Sequence, residues 1–329
     1  MIKIGINGFG RIGRTLFRLL LNHPDVSVAV VNDIADSKTL VHLLNYDSVH
    51  GPLTEKIEWS NEQIASKNGK TFFSQETEPQ NIPWSNYEVD IVIECSGQFK
   101  SRKDLSVHIG GSVRKVILSV PPTDIDIPMI VLGVNDHILE EEDAIISNAS
   151  CTTNSAAPMM KVVQGIAGIQ KAYITTIHSY TSDQRLHDSP HNDLRRARSA
   201  TQSIVPTTTG AAKAITRIFP ELDGHIGGCG IRVPVPDGSL TDITFVLNRT
   251  ITEQEVNAAF YQASQNELKG ILGYTSDPIV SLDVLESPYS VLFDSELTSA
   301  LGNMLKIVGW YDNEYGYSNR LIDLIYAIK

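Results

Sequence analysis

Cysteine is scarce in this 329-residue chain: Cys95, Cys151 and Cys229 are odd in number and widely spaced. They form no disulfide framework and offer no zinc-ligand spacing, so no metal site is expected and a reducing compartment fits. Long apolar runs are missing too, and nothing approaches the roughly 20 residues that cross a bilayer. The opening MIKIGINGFG lacks the basic start and apolar stretch of a signal peptide. The expectation is a cytoplasmic protein with no membrane partner. Basic charge is in deficit, with 27 Lys and Arg against 38 Asp and Glu, a net charge of −11. So acidic a chain is no nonspecific nucleic-acid binder, because phosphate contacts need a basic face. A few local arginines can still outweigh the global field at short range and hold a small anion.

What is present is ordinary globular material. Hydrophobic residues make up 42% and charged residues 20%, which describes a large core rather than a disordered chain. The length exceeds the commonest single-core size, so two domains are expected. No internal repeat, low-complexity tract or linker stands out. In the first half, residues 3–7 and 26–32 read as strands, and 11–22 as a helix with Ile12, Leu16, Leu19 and Leu20 on one face. Residues 89–95, 115–120, 128–133 and 144–147 read as further buried strands, being Val/Ile-rich without polar alternation. This alternation predicts an α/β domain, a doubly wound, mostly parallel Rossmann sheet.

After about Ser150 the texture changes. A helix over 152–165 and a strand over 173–178 precede a long polar segment, residues 179–203. Such a stretch inside a compact domain is usually functional. Residues 231–234, 241–247 and 306–311 read as partly alternating strands, and 318–328 as an amphipathic helix. The expected division is a dinucleotide-binding domain over 1–150, with the terminal helix 316–329 packing back on it. A second, α+β catalytic domain with a mixed or antiparallel sheet covers 151–315.

Two stretches carry chemistry. Gly8-Phe9-Gly10-Arg11-Ile12-Gly13 follows a strand and opens a helix, the arrangement in which glycines admit a pyrophosphate to a helix N-terminus. Asp33 ends the second strand about 20 residues on, as the dinucleotide fingerprint requires, and would accept from ribose hydroxyls and repel a 2′-phosphate. NAD is therefore the expected cofactor. Cys151, in Ser147-Asn148-Ala149-Ser150-Cys151-Thr152-Thr153-Asn154, sits after a strand and before a helix. A helix N-terminus favours thiolate and supplies N–H groups for an oxyanion. His178 ends the strand ahead of the polar segment, where it could serve the thiol as base. Taken singly, each of these residues is equally compatible with ordinary core packing.

The segments SNASCTTN, HSYTSDQ, DLRRAR, PTTTGAAKA, IRVPVPD and WYDNEYGYSNR, with INGFGRIGR at the start, resemble the glyceraldehyde-3-phosphate dehydrogenase family in the family's order. They run from residue 6 to residue 320, essentially the whole chain. The resemblance implies that Cys151 attacks the aldehyde of glyceraldehyde 3-phosphate, and that His178 takes the proton. Inorganic phosphate then resolves the thioester to an acyl phosphate. By the same resemblance Ser150 and Cys151 hold the oxyanion. Thr181, Asp183 and Arg232 form the substrate-phosphate pocket, with Asp183 orienting Arg232. Ser150, Thr152, Arg196, Thr209 and Gly210 form the attacking-phosphate pocket, although Arg195, Arg196 and Arg198 also read as a solvated basic face.

Ser119, Asn313 and Tyr317 are implied beside the cofactor, together with Gly8, Gly10, Arg11, Ile12, Gly13 and Asp33. Asn313 would orient the nicotinamide carboxamide, whereas Tyr317 could equally be core. Pro190 resembles the NAD-preferring form of its loop, while Ser189 stands where a larger apolar residue is frequent. Ser155 replaces a second cysteine often found in the family, a change that removes no chemical step and limits internal disulfide formation on oxidation. Cys95 and Cys229, in apolar or glycine-rich surroundings, are expected to be inert. A homotetramer is implied, with residues 179–203 near a neighbouring subunit's cofactor. Two alternatives stay open: erythrose-4-phosphate dehydrogenase, against which the Thr207-Thr208-Thr209-Gly210 run speaks, and a non-catalytic binding protein on the same scaffold.

Overall fold

The computed structural model describes residues 1–328, and its backbone gathers into two units. The first comprises Met1–Ile130, Asp136–Ala149 and the C-terminal residues from Ser318 onward; the second comprises Val131–Asn135 and Ser150–Tyr317.

In the first unit the chain runs β1 (Ile2–Asn7), α1 (Arg11–Leu20), β2 (Val26–Asn32), α2 (Ser37–Asn45) and the short pair β3 (Tyr46–Asp47) and β4 (Gly51–Pro52). It continues through β5 (Trp59–Ser60), β6 (Gln63–Ser66), β7 (Gly69–Ser74), β8 (Ile91–Glu94), α3 (Arg102–Ser106), β9 (Lys115–Leu118) and β10 (Ile145–Ser147). Eight strands form one sheet in the order β10-β9-β8-β1-β2-β7-β6-β5. The six from β10 to β7 are parallel, and β6 and β5 extend the edge antiparallel. All seven residues of β2 and all four of β8 are buried, as expected of strands covered on both faces. The chain leaves β1 for β2 on one side and later returns to β8 on the other. The crevice beyond the C-terminal end of β1 is therefore the topological switch point, where ligands of open α/β sheets bind.

One expected strand is absent. Residues 128–133 make only an isolated bridge, Met129 to Ser147, with Ser147 N donating to the Pro128 carbonyl and Ile130 N to the Ser147 carbonyl, both at 2.8 Å. Pro128 has no N–H to give a ladder, and Asn135 Oδ1 captures the Val131 N–H at 2.7 Å, turning the chain before pairing can extend.

The second unit starts with α4 (Cys151–Ala167), β11 (Ile169–Ser179), β12 (Val205–Thr207), α5 (Ala211–Ile218) and β13 (Ile226–Val233). There follow β14 (Ser239–Leu247), α6 (Glu253–Gln265), β15 (Leu272–Thr275), β16 (Val291–Leu301) and β17 (Met304–Tyr311); the last helix, α7 (Tyr315–Ala327), belongs to the first unit from Ser318 onward. Seven strands form a mixed sheet, β12-β13-β11-β14-β17-β16-β15, in which only β11–β13 and β15–β16 are parallel. Strict alternation of buried and half-buried residues along β14 marks a sheet with unlike faces. Residues 180–204 carry no helix or strand; Ser189 N to Ala197 O (3.0 Å), Ala200 N to Arg185 O (2.8 Å) and the Arg198–Asp188 pair (2.7 Å) tie this segment to itself.

The glycine turn after β1 depends on close approach. Gly8 has φ +91°, and a Cβ there would lie 2.5 Å from Ser96 N; a Cβ on Gly13 would lie 2.3 Å from the Gly8 carbonyl oxygen. In a helix interior Gly→Ala ordinarily gains about 1 kcal/mol, but here the added methyl meets backbone that must move. Gly13→Ala is expected to lower stability by about 1–3 kcal/mol, read as a drop in the denaturation midpoint. A midpoint at or above that of the parent would show that the turn is not close-packed.

Candidate active site

The first unit supplies a dinucleotide turn. Gly10 caps α1 without a side-chain hydrogen bond, and the position of its missing Cβ has no atom within 4 Å. Open space therefore meets the helix N-terminus, where the unspent N–H groups and the dipole suit a pyrophosphate. Asp33 accepts Phe9 N at 2.7 Å and Ala35 N at 2.9 Å, which ties the end of β2 to the glycine turn. Each carboxylate oxygen keeps a lone pair for a ribose hydroxyl. Arg11, beside Ile12 at the start of α1, is paired with Asp47. Burial opposes ionisation of Asp47, yet Arg11 and the His50 and Val49 N–H groups hold it at about 2. Ser119 is 7 % exposed at the end of β9, and its N–H donates to the Glu94 carbonyl at 3.0 Å. These residues fit NAD.

In the second unit Cys151 is the first residue of α4. Ala149, just ahead of it, has φ +56° although it is fully buried, a left-handed conformation unusual for a residue with a Cβ. Ser150 then caps the helix, its hydroxyl oxygen accepting Thr153 N at 3.1 Å, and its carbonyl accepts Asn154 Nδ2, also at 3.1 Å. This sharp entry leaves the thiol at the helix end, with Sγ 3.5 Å from His178 Nε2. Burial pushes the Cys151 thiol up, against the pull of Arg232 and of hydrogen bonds from Thr152. Burial also pushes His178 down to about 3, assisted by the Arg232 charge. Burial thus works against the thiolate that a helix N-terminus favours.

Two partners compete for His178 Nδ1: the Ser179 carbonyl at 2.8 Å and Arg232 Nη1 at 2.5 Å, and Arg232 also donates to that carbonyl at 2.9 Å. Donation from Nδ1 to the carbonyl leaves Nε2 as an acceptor for the thiol proton; acceptance from Arg232 does the reverse.

The residues expected to bind anions are arranged differently from that expectation in one respect. Asp183 accepts from Arg196 Nη1 at 2.6 Å and contacts His191 Nε2 at 3.4 Å, so it orients Arg196 and not Arg232. Arg196 is further fixed by Thr207 Oγ1 at 3.0 Å and the Thr208 carbonyl at 3.3 Å. The reason is local: Arg196 lies on the same self-bonded segment as Asp183, whereas Arg232 lies in β13 beside His178. Thr181 is half-buried, Thr209 Oγ1 accepts Ala211 N at 3.2 Å, and Gly210 caps α5 with nothing near its missing Cβ. Arg198 pairs with Asp188 on the exposed surface, in keeping with a solvated face. Tyr317 is 4 % exposed in the first turn of α7.

Sequence reasoning missed several residues around the pair. The buried Tyr311 hydroxyl lies 3.0 Å from both Thr152 Oγ1 and Thr176 Oγ1, and its ring meets His178 edge-on at 6.0 Å. Ser179 and Ser239 both donate to Asn313 Oδ1, at 2.8 and 2.7 Å. Ser155 is fully buried against Thr241 Oγ1 at 2.9 Å. The alternation along β11 and β14 was the available signal for Thr176, Ser239 and Thr241; Tyr311 had none beyond its place in a strand.

Residues 2–102 match the family described as glyceraldehyde 3-phosphate dehydrogenase, NAD binding domain, and residues 150–313 match glyceraldehyde 3-phosphate dehydrogenase, C-terminal domain. Among similar proteins, glyceraldehyde-3-phosphate dehydrogenase 1 of Bacillus cereus is 49% identical over 330 residues, covering 98% of this chain and 97% of that protein. Glyceraldehyde-3-phosphate dehydrogenase 2 of Streptomyces avermitilis is 51% identical over 328 residues, and the Geobacillus stearothermophilus enzyme 47% over 325, both with the same coverage. A glycine turn open to a dinucleotide, a cysteine at the first position of a helix within reach of a histidine, and full-length likeness agree: this chain belongs to the glyceraldehyde-3-phosphate dehydrogenase family.

Proposed function

We propose that the chain oxidises D-glyceraldehyde 3-phosphate with NAD and inorganic phosphate to 1,3-bisphosphoglycerate, a step of glycolysis and gluconeogenesis. The observation that carries this reading is Cys151 Sγ 3.5 Å from His178 Nε2 at the start of α4, in a chain of this family. Cys151 attacks the aldehyde carbon as its proton passes to Nε2. The transfer creates opposite charges in contact, so each offsets the desolvation that disfavours the other alone. The N–H groups at the start of α4, around Ser150 and Cys151, face the oxyanion. NAD, when bound, accepts the hydride that leaves the substrate carbon. The thioester on Cys151 keeps the oxidation energy, and attack by phosphate releases the acyl phosphate.

Arg232 and Thr181 hold the substrate phosphate in this scheme. Ser150, Thr152, Thr209, Gly210 and Arg196 receive the attacking phosphate, with Asp183 setting the Arg196 guanidinium. Gly8, Gly10, Arg11, Ile12, Gly13 and Asp33 bind the pyrophosphate and adenosine part of NAD, and Ser119, Asn313 and Tyr317 serve the nicotinamide end. The proposal includes a dinucleotide domain over 1–150 joined by the terminal helix, a catalytic domain over 151–315, a homotetramer and a cytoplasmic location. Among the described residues no helix is long and apolar enough to cross a membrane.

With glyceraldehyde 3-phosphate and NAD, sustained NADH absorbance should require inorganic phosphate, and arsenate should replace it. Turnover indifferent to phosphate, with erythrose 4-phosphate preferred, would contradict the acyl-phosphate route. His178→Asn should lower kcat by roughly 10²–10⁴-fold. It should also move alkylation of Cys151 by iodoacetamide to higher pH, because the thiolate loses its imidazolium partner; an unchanged alkylation profile would remove His178 from the pair. Light scattering on the eluting protein should give about four times the 36.2 kDa chain mass, and a stable monomer would refute the tetramer.

A further inference from the structure

Asn313 follows β17 and is 6 % exposed. Its Oδ1 takes hydrogen bonds from two buried hydroxyls, Ser179 Oγ at 2.8 Å and Ser239 Oγ at 2.7 Å. Ser239 Oγ has a second duty, accepting the Ser179 backbone N–H at 3.1 Å. That N–H cannot reverse its role, so it fixes the direction of the chain of bonds: Ser179 N–H to Ser239 Oγ, and Ser239 O–H to Asn313 Oδ1. Were the amide turned over, its NH₂ would face two hydroxyls and leave both hydroxyl protons without an acceptor. That is a costly arrangement for groups that are 0 % and 1 % exposed. The upright amide leaves Nδ2 with no hydrogen bond to any described residue, so both of its protons remain for a ligand. Ser179 also adjoins the base, since its carbonyl lies 2.8 Å from His178 Nδ1.

We infer that Ser239 and Ser179 are positioning residues that hold the Asn313 amide in one orientation, so that the protein reads the nicotinamide carboxamide through its carbonyl oxygen and not through its NH₂ group. The inference rests on the proposal that Asn313 meets the nicotinamide. A carboxamide carries both an acceptor and a donor, and a freely turning asparagine would accept either end. A locked NH₂ recognises only the acceptor. Substituting the carboxamide NH₂ by methyl should therefore cost the native protein little.

The test is calorimetric binding of NAD and of its 3-acetylpyridine analogue, which keeps the carbonyl and replaces NH₂ by methyl, to the full chain and to Ser239→Ala, Ser179→Ala and Asn313→Ala. The native protein should bind the two dinucleotides within about threefold of each other. In Ser239→Ala the amide can also present Oδ1, which the carboxamide NH₂ of NAD meets and the methyl group of the analogue does not. The analogue should then weaken more than NAD, by at most the roughly three- to tenfold that one neutral hydrogen bond is worth. Ser179→Ala should shift the ratio in the same direction, and it orphans no backbone N–H, so it carries the test if Ser239→Ala does not fold. A native preference for NAD of tenfold or more would overturn the inference, as would equal weakening of both dinucleotides in the serine variants, the mark of general loosening. Asn313→Ala separates the two levels. Unchanged affinity for both dinucleotides would mean that Asn313 does not meet the nicotinamide, whereas weakened binding with unchanged ratios in the serine variants would sink the orientation alone.

Discussion

Burial disfavours both a thiolate at Cys151 and an imidazolium at His178, so the two charges offset each other best in contact, and much of the local structure follows from that. Burial raises the Cys151 thiol and lowers His178 to about 3, so neither group ionises cheaply by itself. Their separation of 3.5 Å lets one proton move between them without changing the net charge of the pocket. The geometry must then be held closely. The left-handed Ala149 and the Ser150 cap set the thiol, while the Ser179 carbonyl and the edge of Tyr311 set the imidazole. Arg232 lies against the same imidazole, so the cation that would receive an anionic substrate also opposes protonation of the base.

The dinucleotide half was readable because its signals are local. Continuous Val/Ile runs mark β2, β8 and β9, and Gly8 and Gly13 stand where a Cβ would strike backbone. The failure at residues 128–133 is instructive, since apolar content there suggested a strand while Pro128 and the Asn135 side chain prevented the ladder. Helix α6 carries a local start signal as well, the Thr252–Glu255 capping box.

The site was legible in its reactive groups but not in their supports. Cys151 and His178 stand 27 positions apart, and their meeting follows from α4 leading directly into β11. Ser179, Ser239 and Asn313 come from β11, β14 and the turn after β17, so only sheet pairing reveals that they share one cluster. Asp183 shows the converse. A role carried over with the motif paired it with Arg232, whereas the bonds inside residues 180–204 give it to Arg196. Register in a sheet and self-bonding within a loop are tertiary facts, and neither leaves a period in the sequence.

The path of the chain between the two units bears on its biosynthesis. The first unit is interrupted by Val131–Asn135 and then by Ser150–Tyr317, and it takes its last helical residues only from Ser318 onward. Emerging from a ribosome, the strands that carry the glycine turn appear first, and the helical residues that follow Tyr317 join their unit much later. The second unit takes only five residues from upstream and is otherwise continuous from Ser150 to Tyr317. A nascent chain would thus present every strand of its dinucleotide sheet, through Ser147, before the first strand of its catalytic sheet, and only the covering helix of the first unit comes last.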